Sequence, residues 1–516
     1  MPASWLKFIL LSFVAAAVAV AARPLAAQDK QAKEDKVEKY ASGQVHLKYT
    51  LVDGKKNGPL VEFYENGKTK IRANYKDDLL TFSYMEYYET GPAHISASYR
   101  AGKLQGKYSE KDKKGKIILT ANYVDGQLHG ERSQLLADKS TWKSVWKNGT
   151  PVSLNGVPLH PTPLADIRSG LEKIYGPGGA PPSHAEKTAQ ARKAASGPLP
   201  PGASFADDDA DKTPSAESLD AEREVAVKRL NAYRLICGLP HDVTLDADQN
   251  TKCQAAAKLL VKVGHLDHTP TNPGLPDDEF RLGYIGTSHS NLAGASRARM
   301  TMSEAVDGFM DDSDPSNVER VGHRTWCLNP TMLTTGFGRS GGFAAMWSMD
   351  ERRVDKFDWQ VIAYPPAGYM PSDYLEDGVA WTASINPRHF TLPPESFDVT
   401  VRPLDDNLIP GEPLEIENRH LNDKGYGLPN ALIFRPRGLD KTSGRRYWVE
   451  IGGVTQYKQP VPVHYMVEFV DLEPKAAGKG NGDKPKSGYI GGQQDKSDKA
   501  KQPNEKAPQA QVPPGK

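Results

Sequence analysis

Short runs in which apolar and polar residues alternate dominate the first part of the chain, and they recur on a fixed period. The phrases Asp53-Gly54-Lys55, Asp77-Asp78-Leu79, Ala101-Gly102-Lys103, Asp125-Gly126-Gln127 and Asn148-Gly149-Thr150 return about every 24 residues. Between them stand matching segments. Gly58 to Tyr64 followed by Ala73-Asn74-Tyr75 corresponds to Gly106-Lys107-Tyr108 followed by Ala121-Asn122-Tyr123. Alternation joined by Asp-Gly, Asn-Gly and Lys-Gly pairs is hairpin chemistry, because such turns need positive φ. A regular period means that each hairpin covers the face of the next. The expectation is a stack of β-hairpins over residues 41–158, serving either as a docking surface or as a spacer.

Further along, the period changes. Val225, Leu230, Tyr233 and Cys237 fall at helical spacing, and Gly238-Leu239-Pro240 stops that helix. A second helix is expected over Ala247 to Val263 and a third over Ser303 to Met310, the latter leading into the acidic loop Asp311 to Asn317. Strand-like runs follow at Thr335 to Gly338, Phe343 to Met349 and Trp359 to Tyr364. After Trp381 alternation returns in Phe397 to Val401, Leu414 to Ile416, Leu432 to Phe434, Tyr447 to Ile451 and Val463 to Val470. These suit a small β-sandwich over 376–472. The chain therefore reads as multidomain α+β.

Composition supports several compact pieces. A chain of 516 residues exceeds one core, and 46 Gly with 40 Pro point to linkers. Residues 159–217, rich in Pro, Ala and Gly, read as a disordered linker with one short helix allowed at Leu164 to Tyr175; residues 473–516 read as a disordered basic tail. A net charge of +1 gives no ground for a nucleic-acid partner. Lys7, the apolar run Phe8 to Val20 and the small residues up to Ala27 have the layout of a signal peptide over 1–27, cleaved after Ala22 or Ala27. The mature protein is expected to be secreted or periplasmic. Of three cysteines, Cys237 and Cys253 lie in consecutive expected helices. They form either a disulfide or, with Cys327, a set of buried thiols.

The order of motifs in the centre resembles a known family. Leu230-Asn231-Ala232-Tyr233-Arg234, Leu266-Asp267-His268-Thr269, Ser290-Asn291-Leu292-Ala293, Phe309 to Asp312, Gly322-His323-Arg324 and Tyr364 to Gly368 follow one another as in CAP (SCP-like extracellular) domains. The resemblance covers 218–372 and implies an α-β-α sandwich with a cleft lined by two histidines and two acids. Position by position those are His268, His323 and Asp312, with Ser290 where the family has its first Glu. It also implies that His268, His323 and Asp312 could hold zinc or another divalent metal, although a serine is a poor zinc ligand. The hairpin units similarly resemble MORN-type variant repeats.

Other chemistry is weaker. Asp312, Asp314 and Asn317 offer hard oxygens for calcium but lack a bidentate Glu. Gly338-Arg339-Ser340-Gly341-Gly342 fits the hydrolase pattern G-x-S-x-G, yet an expected strand, not a helix, follows it. The leading expectation is a secreted, non-enzymatic protein that binds a hydrophobic small molecule, lipid or peptide in the cleft. Two alternatives are a metal-assisted hydrolase acting on peptide or envelope polymer, and a scaffold docking cell-envelope proteins or polymers through the repeats.

Overall fold

The computed structural model describes residues 32–176, 216–295, 300–315, 317–354, 357–392 and 397–472. The expected signal peptide and basic tail, and the linker stretch 177–215, lie outside the described residues.

The repeats build one antiparallel sheet of thirteen strands, taken in chain order from Lys33–Lys39 to Val157–Pro158. Its turns place Asp53 at φ 51° before Gly54 at φ 77°, and Asp125 at φ 51° before Gly126 at φ 85°. This is the backbone that the Asp-Gly pairs favour. The period has a direct cause in side-chain bonding. Tyr40, Tyr64 and Tyr88 each donate a hydroxyl proton to a main-chain carbonyl one repeat ahead, on Phe63, Tyr87 and Lys111, at 2.7, 2.7 and 2.8 Å. On the packed face Ile95, Ala97, Tyr108 and Ala121 form a core that Tyr84, Tyr99 and Tyr123 flank.

The last hairpins dock onto the C-terminal strands. Trp142, Trp146, Leu154 and Leu159 share one core with Leu404, Leu408, Trp448 and Met466. Immediately afterwards comes helix α1, Leu164–Tyr175, which buries Ile167 and Leu171. At Gly170 an added Cβ would stand 2.6 Å from the end of the Leu235 side chain, which would have to swing aside.

The central segment carries helices α2 (Ala216–Ile236), α3 (Ala247–Val263), α4 (Asp277–Ser288), α5 (Met302–Asp311) and α6 (Gly322–Cys327). Asp246 caps α3, its side chain accepting from the amides of Asp248 and Gln249, and Gly264 at φ 84° ends it. Thr301 and Glu304 cap α5 reciprocally. Helix α4 is not among the expected helices, although Pro276 and three acids in its first turn mark its start. The helices accompany a three-stranded antiparallel sheet in which Phe343–Trp347 lies between Ser290–Gly294 and Phe337–Ser340. Ser340 ends a strand of that hairpin, so the G-x-S-x-G pattern is a turn between strands.

Two four-stranded sheets complete the chain. One holds Val361–Tyr364, Trp381–Ile385, Ala431–Pro436 and Ile416–Asn422; the other holds Gly368–Pro371, Val463–Val470, Arg446–Gly452 and Asp398–Leu404. Gly368–Pro371 runs parallel to Val463–Val470, and Val361–Tyr364 pairs with Trp381–Ile385. Strands from the central segment thus complete both C-terminal sheets.

The expected fold class is corrected here. The chain is mostly β, 41% strand against 21% helix, with the thirteen-stranded sheet as its largest element, and it is not an α+β chain centred on an α-β-α sandwich. The physical reason is twofold: the hairpin array forms one uninterrupted ladder, and the last strands of the central segment find their hydrogen-bond partners in the C-terminal sheets. Of the two readings of the cysteines, the structure carries the thiols: Cys237, Cys253 and Cys327 are all free. Cys253 faces the small sheet, with its sulfur 3.3 Å from the Gly336 carbonyl.

Candidate functional site

Asp312 and His323 are brought together by the end of α5 and the start of α6. Asp312 occupies the left-handed region at φ 47°, a conformation that Asp tolerates better than most residues. This closes α5 and turns the carboxylate toward α6. His323 Nδ1 lies 3.0 Å from Asp312 Oδ1, and the Arg324 amide donates to Asp312 Oδ2 at 3.3 Å. The Asp312 side chain is wholly buried, whereas that of His323 keeps 19% exposure. The pair therefore presents one imidazole, oriented from behind by a carboxylate.

Arg324 makes this corner rigid. Its guanidinium donates to the carbonyls of Met310 at 2.7 Å, Asp311 at 2.6 Å and Ala380 at 2.6 Å, and lies 5.0 Å from the Tyr364 ring centroid. The last carbonyls of α5 thus gain a cationic donor. Burial pulls the Arg324 guanidinium below its ordinary value, against the opposing pull of Tyr364, Asp312 and Asp311.

The other two expected site residues lie along α4 and its exit. His268 Nδ1 sits 2.9 Å from the Thr287 carbonyl, and Thr287 Oγ1 donates back to the His268 carbonyl at 3.2 Å. Ser290 is only 2% exposed, and its Oγ lies 3.5 Å from Cys253 Sγ. It faces α3 and contributes packing. Asn291 links the two halves by donating to the His323 carbonyl at 3.0 Å. His289 stacks on Trp347 with centroids 5.0 Å apart.

Among the described residues, no group of three or more His, Cys, Asp or Glu stands close enough to hold a metal ion. The acidic loop closes on itself instead, with the amides of Asn317 and Val318 both donating to the Asp314 carbonyl at 2.8 Å.

A hollow of about 380 Å³ lies between α3, α4 and Arg223 of α2. Ala255, Leu259, Leu275 and Leu282 give it apolar walls, while Gln254, Lys258 and Glu279 bring polar groups to it. Its origin is steric. At Gly286 an added Cβ would stand 2.1 Å from the Lys252 carbonyl, and at Gly283 3.0 Å from Leu259, so the helices touch along these glycines. One turn earlier, at Leu282 and Glu279, the glycines give way to side chains and the hollow opens. Its volume is that of a small-ligand site. The hollow has no counterpart among the expected site residues because α4 has none among the expected helices; the helical spacing of Thr251, Ala255, Lys258 and Leu259 was the available signal. No helix among the described residues is long and apolar enough to cross a membrane. In sequence comparison the chain matches no protein-family model and no curated protein, so neither the CAP-type nor the MORN-type resemblance gains support beyond the motifs that carry it.

Proposed function

We propose that this is a secreted, non-enzymatic binding protein that holds a small amphiphile, with an apolar body and a charged end, in the hollow between α3 and α4. The carrying observation is the hollow itself, with leucine walls and the ionic side chains of Lys258, Glu279 and Arg223 beside them. Apolar walls favour burial of hydrocarbon, and a few charged groups select the end that stays wet. The half-buried His323 imidazole, backed by the buried Asp312, is a second polar point on the same segment, and His268 is anchored to the far end of α4.

The test uses the full mature chain and a fluorescent fatty acid as probe. Saturable binding of one probe per chain is expected. Leu282→Trp, which fills the hollow, should weaken it at least about tenfold, the order expected when two methylene groups of the probe stay in water. Probe binding that Leu282→Trp leaves unchanged, or no binding at all, rejects the proposal.

A hydrolytic reading draws on the imidazole that Asp312 holds in one orientation, as a general base would be held. Peptide or envelope-polymer cleavage that disappears in His323→Ala while the Leu282→Trp variant stays active would favour it.

A further inference from the structure

The thirteen-stranded sheet has two edges, and they end differently. At one, Val157–Pro158 is a strand of two residues, and Leu154 and Leu159 beside it are buried in the core shared with the C-terminal strands. At the other, the seven-residue strand Lys33–Lys39 pairs with Val45–Val52 on one side and, among the described residues, with nothing on its other side. The Asp53 amide donates to the Ala32 carbonyl at 3.0 Å, and the register sets these two residues directly opposite, so they are a hydrogen-bonded pair. Bonded and non-bonded pairs alternate along an antiparallel ladder. Glu34, Lys36 and Glu38 therefore bond inward, and Lys33, Asp35, Val37 and Lys39 turn their amides and carbonyls outward. The Tyr40 amide, bonding inward to the Gln44 carbonyl at 2.8 Å, keeps that alternation past the register shift after Glu38.

The side chains of this edge restrict what it accepts. An open ladder edge recruits another strand unless something discourages it. Here the sequence is Lys33-Glu34-Asp35-Lys36-Val37-Glu38-Lys39, with the two signs interleaved, whereas discouragement alone needs only one sign. Two copies of the strand can pair antiparallel only where outward-bonding residues meet, and every such register has a two-fold axis through one residue. Val37 is the single uncharged residue of the seven, so any other centre sets a charge against itself. Centred on Val37, no like charges stand opposite. Lys36 then faces Glu38 of the second copy, Asp35 faces its Lys39, and both pairs occur twice by symmetry. The two Val37 side chains meet on the axis, each 55% exposed in the single chain. Within one chain Lys36 reaches Glu34 at 2.5 Å, an exposed pair that contributes little.

We propose that Lys33–Lys39 is a self-recognition edge: two copies of this chain join through it, antiparallel and two-fold about Val37, so that their hairpin sheets run on as one. The outward N–H and C=O of Val37 pair with those of the second Val37, and those of Asp35 with Lys39, as in strand addition between proteins. Opposite charges facing across the strands fix the register. The interface uses the same patch on both copies, so it closes at a dimer and does not grow into a filament. The far edge of the sheet, tied into the C-terminal core, offers no second site of this kind. A foreign strand is the less fitting occupant, because the charges of this edge match its own sequence read in reverse.

The experiment is sedimentation of the full chain from low to high micromolar concentration, with thermal unfolding beside it. The wild type is expected to pass from monomer to dimer. Lys36→Glu sets a carboxylate against Glu38 at both symmetric places, and Glu38→Lys sets an ammonium against Lys36 at both. Each variant alone should weaken self-association about tenfold or more. An equimolar mixture of the two restores opposite charges at both places and should form a heterodimer with wild-type affinity. A local effect of either substitution, such as loss of the Tyr49 hydroxyl's bond to Glu38, cannot be cured by mixing. A wild type that stays monomeric throughout, single variants that dimerise as the wild type does, or a mixture that stays monomeric each overturns the proposal. None of these outcomes depends on the hollow between α3 and α4.

Discussion

His160 Nε2 lies 2.9 Å from Glu468 Oε2, joining residues 308 positions apart in the chain. Arg446 completes the clasp, with Nε 2.9 Å from the same oxygen and a second guanidinium nitrogen 3.2 Å from the other. The His160 ring also stacks on Tyr369 at 4.1 Å. One carboxylate therefore receives both the exit of the hairpin sheet and a C-terminal strand.

That carboxylate makes the clasp sensitive to acid. Burial works to raise the Glu468 carboxyl, but hydrogen bonds from His160 and Arg446 outweigh it and leave it below the ordinary carboxylate value. A group depressed in the folded state contributes stability that is complete above its unfolded value and is lost as pH falls through its folded one. Glu468→Gln should therefore cost about 2–4 kcal/mol at pH 7, since it strands the Arg446 charge in a part-buried site, and less at pH 3, below the ordinary carboxylate value, where the unfolded chain already holds the proton. Urea unfolding of wild type and variant at both pH values checks this; an equal cost at both would refute it.

The close approach of α3 and α4 at their glycines predicts a packing defect. Gly286→Ala places a methyl carbon 2.1 Å from the Lys252 carbonyl, closer than real atoms come, so the helices must move apart. A destabilisation of about 1–3 kcal/mol is expected from overpacking of this kind. Thermal unfolding followed by circular dichroism measures it, and Gly308→Ala, where nothing lies within 4 Å, is the control expected to change little.

The thiols should be silent until the protein unfolds. Burial pushes the Cys237 and Cys253 thiols up to about 12, and raises that of Cys327 as well. Reaction needs the thiolate, which is scarce at such values. Without reductant, a thiol reagent at pH 8 should count no fast-reacting group in the native protein and three in guanidinium. A count of one in guanidinium would mean that a disulfide had formed.

Asp312 should matter for structure beyond its histidine. Its carboxylate accepts from both His323 and the Arg324 amide while fully buried. Asp312→Ala is expected to cost about 1–3 kcal/mol, the penalty of leaving buried donors unpaired, whereas His323→Ala should cost less because its ring is partly exposed.

Features governed by neighbours in the chain were legible in advance. The turn pairs around Gly54, Gly102 and Gly126 announced the hairpins, since only certain residues accept positive φ. Helix α3 matches its expected span, Ala247 to Val263, because an Asp cap and a Gly stop frame it locally. The pairing of Asp312 with His323 was within reach too, as eleven positions separate them.

Pairings between distant segments were not legible. Whether Ser290 faces a cleft or Cys253 depends on which side of the small sheet α3 covers, and nothing near Ser290 in the chain records that. Gly368–Pro371 and Val361–Tyr364 read as the end of the central segment, yet they complete C-terminal sheets, because strand pairing is decided by whichever ladder has an open edge. The hollow beside Leu282 likewise follows from two helices touching at Gly283 and Gly286. The residue order by itself determined the hairpin period, the helix caps and the turns, all set by backbone preferences acting over a few residues. Tertiary structure alone decided the mostly-β class, the free thiols and the hollow, since each depends on surfaces meeting from remote parts of the chain.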